Sequence, residues 1–251
     1  LRNAARKETR ALAEERAKHP FDDIETAPLD YLPKAWSEPY GTLQDTVYEV
    51  YDLQAIRIDG AAEHPTALVQ SAAMASVPPP VPSYRPVLPK TLVRDGLLSA
   101  PQLESVIYAG NAHETHLKGL FKRGEIEGQL IAAAEGDEGA FRLRKGWFLG
   151  DGTGCGKGRQ VAGIILDNWL QGRRRSVWVS KSDKLIEDAR RDWMALGGRE
   201  SDIVPLSKFR QGSDIRLPEG ILFVTYATLR SAEREGKAAR LEQVTSWLGE
   251  G

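Results

Sequence analysis

Cysteine is nearly missing from this chain: Cys155 stands alone among 251 residues. One thiol can form neither an internal disulfide nor a cysteine-built zinc site, which points to a fold held by its core in a reducing compartment. No apolar run approaches the roughly 18 residues that a membrane span needs. Excess charge is missing too, since 34 Lys and Arg face 35 Asp and Glu for a net charge of -1. Any grip on nucleic acid must then come from local patches rather than from the overall field. The remaining balance, 41% hydrophobic and 27% charged residues, is that of a globular protein with chain enough for one large domain or two ordinary ones. The first residues form no secretory leader, and neither end carries a terminal signature. The chain therefore reads as a segment of a longer intracellular protein, cytoplasmic if its source is bacterial or phage.

What is present is concentrated in Trp147-Phe148-Leu149-Gly150-Asp151-Gly152-Thr153-Gly154-Cys155-Gly156-Lys157-Gly158-Arg159-Gln160. An apolar strand is expected to enter a glycine-rich turn that ends in Gly-Lys, with a helix over 161–170, the order that wraps backbone N–H groups around a polyphosphate. Four glycines within seven residues let the backbone turn without a Cβ in the way. Lys157 is placed to reach the β- and γ-phosphates, and the helix N-terminus adds partial positive charge. Two positions depart from the pattern G-x-x-x-x-G-K-[ST]. Asp151 replaces the first glycine, and Gly158 replaces the hydroxyl residue that ligates Mg2+.

The rest of the chain is read around this turn. Residues 1–18 are expected to form a basic helix, 20–42 an irregular apolar segment, and 46–51 and 54–58 short strands. Pro78, Pro79, Pro80, Pro82, Pro86 and Pro89 impose an extended path, read as a strap packed on the same protein. Ser99 starts a helix, and Gln102 three residues later completes a capping box. A glutamine ahead of a phosphate loop can also bond both edges of adenine, so both roles are open for Gln102. His113 and His116 are read as surface or packing residues, because no third metal ligand lies near them. Residues 129–134 and 140–143 read as a hairpin. Strands over 176–180, 203–206 and 221–225 alternate with helices over 183–196 and 238–248. Such alternation predicts an α/β fold with a parallel sheet.

Taken together, His64-Pro65-Thr66, Leu68-Val69-Gln70-Ser71, Leu98-Ser99-Ala100-Pro101-Gln102-Leu103-Glu104, the Gly-Lys-Gly-Arg ending of the loop and Thr225-Tyr226 resemble the strawberry notch family, whose helicase-like half belongs with superfamily two motors. The resemblance covers roughly residues 60–229. It implies a connecting helix over 1–20, an accessory region with the proline strap over 21–95, and an incomplete RecA-like P-loop lobe, a parallel sheet with flanking helices, over 96–251. It implies ATP with Mg2+ as cofactors, no protein metal ligand, Lys157 as the catalytic residue, and a nucleotide site built from Gln102, Asp151, Gly152, Thr153, Gly154, Cys155, Gly156, Lys157, Gly158 and Arg159. Ser180, Lys181, Ser182 and Lys184, with Thr225 and Tyr226, resemble the motifs that touch a nucleic-acid track, here DNA. The family's Asp-Glu-x-His strand and second RecA-like lobe are not in this stretch, so the chain alone is expected to bind ATP weakly and not hydrolyse it. Further partners implied are the rest of the same polypeptide and, from bacterial and phage relatives, a DNA methyltransferase module acting in defence or anti-restriction. The alternatives are a non-catalytic ATP-binding scaffold for a transcriptional or chromatin partner, and a metabolic P-loop enzyme such as a kinase.

Overall fold

The computed structural model of the chain describes residues 18–37, 47–126, 129–230 and 239–249. The helix expected over 1–18 lies outside the described residues except at Lys18, as do Tyr40 and the first residues of the 46–51 and 238–248 elements. Two units emerge, each discontinuous in sequence: one takes in residues up to 27, 87–92 and 165–251, the other 28–86 and 93–164.

The first unit carries a parallel sheet in which Gly220–Thr225 lies between Ile203–Pro205 and Arg175–Ser180. Every residue of the central strand is buried, as expected of a parallel strand covered on both faces. By strand alternation, Leu222 and Val224 face one side, where they join Leu206, Val244 and Trp247 in one core cluster. Here Trp247 belongs to the helix Arg240–Leu248. A separate aromatic cluster gathers His19, Phe21, Trp169 and Trp193, with ring centroids 4.8–5.6 Å apart. Trp193 lies on the helix Ile186–Met194, which the sequence reading began three residues early. Asp183–Leu185 is instead a 3-10 turn, started by Ser182, whose side chain accepts from the Lys184 N–H.

One carboxylate oxygen organises this cluster. Asp202 Oδ2 accepts from the Trp193 indole N–H at 2.7 Å and the Arg199 backbone N–H at 2.7 Å, and lies 3.0 Å from His19 Nε2. His19 Nδ1 accepts from the Phe21 N–H, which leaves Nε2 as the protonated nitrogen that donates to Asp202. Of the three arginines at the start of the strand Arg175–Ser180, Arg173 and Arg175 are exposed and Arg174 is partly buried. Arg174 bridges Asp22 and Glu219, and Arg175 donates to the carbonyls of Pro218 and Trp247. A guanidinium beside a strand start meets the free carbonyls of neighbouring loops, and its five donors suit that task.

The second unit is built on the helix Ala100–His113. The proline strap is laid along it. Tyr108 donates its hydroxyl to the Pro80 carbonyl at 2.8 Å, and Asn111 Oδ1 accepts from the Ser83 N–H at 3.0 Å. Gly110 lets the Tyr84 ring lie flat on the helix, where an added Cβ would sit 2.0 Å from a ring carbon. Two short ribbons, Tyr48–Val50 with Val69–Ser71 and Leu32–Pro33 with Ile56–Arg57, complete the accessory part.

Two expectations are corrected here. Leu130–Ala133 pairs with Leu120–Arg123 rather than with 140–143, which contributes a single bridge from Phe141 to Phe121. Gly136-Asp137-Glu138-Gly139 is a turn, but the ladder forms ahead of it, with four register pairs between 120–123 and 130–133. Residues 147–150 form no strand. Only three apolar residues stand between Gly146 and Gly150, and no described strand pairs with them. No described helix is long and apolar enough to cross a membrane.

Asp202→Ala leaves the indole N–H, the Arg199 N–H and His19 without their acceptor, and is expected to lower stability by about 3 kcal/mol. Urea denaturation checks this, and a loss under about 1 kcal/mol would remove Asp202 from its organising place.

Candidate functional site

The turn between Gly150 and Lys157 takes its shape from two glycines in the left-handed region, Gly154 at φ 93° and Gly156 at φ 72°. It runs directly into the helix Lys157–Leu170. Lys157 folds back over the turn, donating Nζ to the carbonyls of Asp151 at 2.9 Å and Gly152 at 2.6 Å. Its ammonium thus sits inside the curve of the backbone that it terminates.

Two glutamine amides hold the turn from behind. Gln102 Oε1 accepts from the Ser99 N–H at 3.0 Å, so the glutamine arm of the capping box is formed. Its Nε2 donates to the Cys155 carbonyl at 3.3 Å. Gln160, 1% exposed, donates Nε2 to the same carbonyl at 3.1 Å and to Asp151 Oδ2 at 2.9 Å. The two roles left open for Gln102 therefore meet a third: the amide ties the first turn of one helix to the phosphate loop. A Cβ on Gly156 would lie 2.4 Å from Gln102 Nε2. Farther along, a Cβ on Gly163 would lie 2.9 Å from Val106 Cγ2, so the two helices pack at a glycine. Arg159 donates Nη1 to the Leu97 carbonyl at 3.2 Å, fixing the next turn.

Asp151 earns its place in the glycine position by anchoring Gln160, a residue the sequence reading quoted in the stretch but left out of the site. Thr153 and Gly158 supply backbone at the turn and the helix start, and the Cys155 contribution is its carbonyl. The arrangement fits an anionic tail: glycines, a helix N-terminus and an inward lysine. It does not fit a protein-built cation site. Gly158 has no hydroxyl, Asp151 is engaged by Gln160, and no group of three or more His, Cys, Asp or Glu among the described residues is placed to hold a metal ion. His113 and His116 instead flank Arg144, through a carbonyl hydrogen bond and a β-bridge.

Beside the turn lies a cavity of about 410 Å3, lined by Tyr51, Glu104, Tyr108, Trp147 and Phe148 together with Gly150 and Asp151. Glu104 is buried on the second turn of the helix Ala100–His113 and accepts the Tyr51 hydroxyl. Burial pushes its carboxyl up to about 7, with Asp52 and Asp151 adding repulsion. Burial raises the Tyr51 hydroxyl as well. Nothing in the sequence marked this pair, because Tyr51 and Glu104 meet only in the fold.

The residues expected at a nucleic-acid track belong to the first unit. Ser180 and Thr225 are register partners at the C-terminal ends of adjacent parallel strands. Ser182 and Thr225 both cap the turns that follow, while Lys181, Lys184 and Tyr226 are exposed. The fold thus brings the two sequence motifs to one rim.

Comparison with known proteins bears on this geometry. The family described as P-loop containing NTP hydrolase pore-1 matches residues 63–251. Among similar proteins are FORGETTER 1 of Arabidopsis thaliana, 34% identical over 74% of this chain and 13% of its own length, and strawberry notch homolog 1 of Gallus gallus, 34% over 78% and 14%. Strawberry notch of Drosophila melanogaster is 35% identical over 81% of the chain and 12% of its own. The chain spans about an eighth of the length of these curated relatives. No solved structure matches it.

Alanine at three glycines should separate strain from crowding. Gly152→Ala, with open space around it and no positive φ, is expected to cost under about 0.5 kcal/mol. Gly154→Ala carries left-handed strain alone, about 1 kcal/mol, and Gly156→Ala adds the Gln102 clash for about 2 kcal/mol or more. Thermal or urea unfolding of the three gives the order, and equal losses would contradict it. Glu104 generates a pH dependence. Its folded pKa is raised, so its contribution to stability is fully present below about pH 4.5 and is lost as pH rises through about 7. Stability is expected to fall across that window by on the order of 1 kcal/mol per pH unit, and Glu104→Gln to flatten the slope.

Proposed function

Because the chain belongs to the strawberry notch family of P-loop NTP hydrolases, we propose that it is the ATP-binding lobe of an ATP-driven motor on DNA within a larger intracellular protein. The observation that carries this reading is the turn itself, in which Gly154 and Gly156 at positive φ deliver the chain to a helix whose first residue, Lys157, folds back into the curve. In this reading the backbone from Asp151 to Arg159 holds the triphosphate, Lys157 neutralises its β and γ oxygens, and Gln102 and Gln160 keep the turn in shape. Mg2+ would be held chiefly by the nucleotide's phosphates, since Gly158 stands where the usual pattern has a hydroxyl for it. Lys181, Lys184 and Tyr226 meet the DNA backbone at the rim marked by Ser180, Ser182 and Thr225. Such contacts position a track without reading its sequence.

Hydrolysis needs more than this stretch brings. The described parallel strands end at Ser180, Pro205 and Thr225, and none of these supplies a carboxylate to position water. In this reading the chain serves as the binding lobe of a larger protein that brings a second lobe and a DNA methyltransferase module acting in defence or anti-restriction.

In the full-length protein, DNA is expected to stimulate ATPase activity, and Lys157→Ala to abolish it by about three orders of magnitude or more. The Lys181→Ala/Lys184→Ala pair should leave ATP binding intact while weakening DNA binding and reducing its salt slope by roughly 1–2. ATP binding without hydrolysis would favour a non-catalytic ATP-binding scaffold for a protein partner, and hydrolysis that ignores DNA a metabolic P-loop enzyme.

A further inference from the structure

We propose that the strand Leu130–Ala133 is a pairing edge for a second copy of this chain, joined to it antiparallel about a two-fold axis at Ile131. The proposal goes beyond the nucleotide reading and does not depend on it. Its first support is the direction in which backbone groups point. Phe121, the register partner of Ala132, bonds through both its N–H and its carbonyl to Phe141, on the far side of its own strand, at 2.9 and 2.8 Å. In an antiparallel ladder bonded and non-bonded pairs alternate, so Phe121–Ala132 and Arg123–Leu130 are the non-bonded ones. The N–H and C=O groups of Leu130 and Ala132 therefore point outward.

Nothing described answers them. Among the described residues no strand pairs with the outer side of Leu130–Ala133, and no bond outside its ladder reaches Leu130 or Ala132. The next outward residue, Ala134, is already satisfied, its N–H donating to Asp137 Oδ2 at 3.3 Å and its carbonyl accepting from the Asp137 N–H at 3.2 Å. Charge and proline, two usual protections of an edge, are both lacking from Leu130 to Ala134. Leu130 and Ile131 stand in solvent, 47% and 37% exposed.

A second copy answers this edge in one register. Setting Leu130 of each copy opposite Ala132 of the other closes four N–H to C=O bonds and engages every outward group of the two residues. Ile131 then faces its own counterpart on the axis. Side chains agree with the backbone: Phe141, Phe121 and Ala132 lie in one row across the sheet, and the small alanine leaves space beside the Phe121 ring for the other copy's Leu130. The contact is isologous, the same patch on both copies. It stays short, because Ala134 is taken and acids occupy the flanking turns, Glu125 at one end and Glu135 at the other. So short an edge buries less than the roughly 1,200 Å2 of a standard interface, and the dimer is weak and reversible.

Sedimentation equilibrium over a concentration series, joined to cysteine cross-linking, tests this on the protein. The parent is expected to form a concentration-dependent dimer, and Ala132→Pro to weaken it about tenfold or more, since two of the four bonds lose their donor. The Ala132 N–H lies outside the ladder to Leu120–Arg123, so a proline there leaves that ladder intact. Ile131→Cys should cross-link under oxidised glutathione, because the Cα atoms of a facing non-bonded pair lie about 4.5 Å apart, within disulfide range. Ala133→Cys, which does not face its counterpart, and the parent with Cys155 alone should not. Three results overturn the proposal: a protein that stays monomeric up to about 1 mM, a dimer indifferent to Ala132→Pro, or equal cross-linking of Ile131→Cys and Ala133→Cys.

Discussion

The convergence of two glutamine amides on one carbonyl is the constraint from which the site follows. With Gln102 and Gln160 both donating to the Cys155 oxygen, that carbonyl is turned toward the helices. In a planar trans peptide the following N–H points the opposite way, so the Gly156 N–H is aimed out of the protein, toward the space an anion would take. The positive φ at Gly156 accommodates that peptide orientation, and the nearness of Gln102 leaves no room for a side chain. Glycine at this position suits the dihedral, and a side chain there would displace the Gln102 amide. Gln102 in turn is held by the Ser99 N–H, so a helix cap fixes the shape of a phosphate loop 53 residues away in sequence.

Much of this was legible in the residues, and what escaped has a physical reason. The glycine spacing and Gly-Lys ending located the turn, since few other backbones need four glycines in seven positions. The apolar runs around Val177 and Ile221 gave the parallel strands, the second of them buried throughout, and Ser99-Ala100-Pro101-Gln102 gave a helix start to the residue. Hairpin partners were misassigned because local alternation does not say which of two flanking runs supplies the ladder. Residues 147–150 look like a strand by composition, yet a strand exists only through its partners, which a sequence does not list. The Tyr51–Glu104 pair and the Asp202 acceptor cluster were invisible for the same reason: each joins residues far apart along the chain.

Two departures from the usual loop pattern can be weighed by what surrounds them. Asp151 puts a carboxylate beside a turn meant for anions, which costs Coulomb energy unless the charge is answered. Gln160 donates to one of its oxygens and Lys157 sits on its carbonyl, so the charge is partly compensated at the site. Gly158 removes a hydroxyl without creating a clash or an orphaned group. The first departure is thus built into the loop's own bonding, while the second only takes something away. A turn modified in this way keeps the glycines, helix N-terminus and lysine that suit a phosphate and lacks the hydroxyl that the usual pattern offers a metal.

The electrostatics of the neighbouring cavity follow from the same crowding of acids. Asp52 and Asp151 both repel a charge on Glu104, and burial makes Glu104 hold its proton. A second full negative charge beside Asp151 would work against a triphosphate at the point where the loop begins. By yielding near neutrality, Glu104 lets a buried acid coexist with an anion-binding turn, and the Tyr51 hydroxyl satisfies it in either state by accepting as well as donating. Residues contributed by the accessory region, Tyr51 and Asp52, thereby act on the charge of Glu104. The segment ahead of the helix Ala100–His113 thus lines the same cavity as the start of the loop.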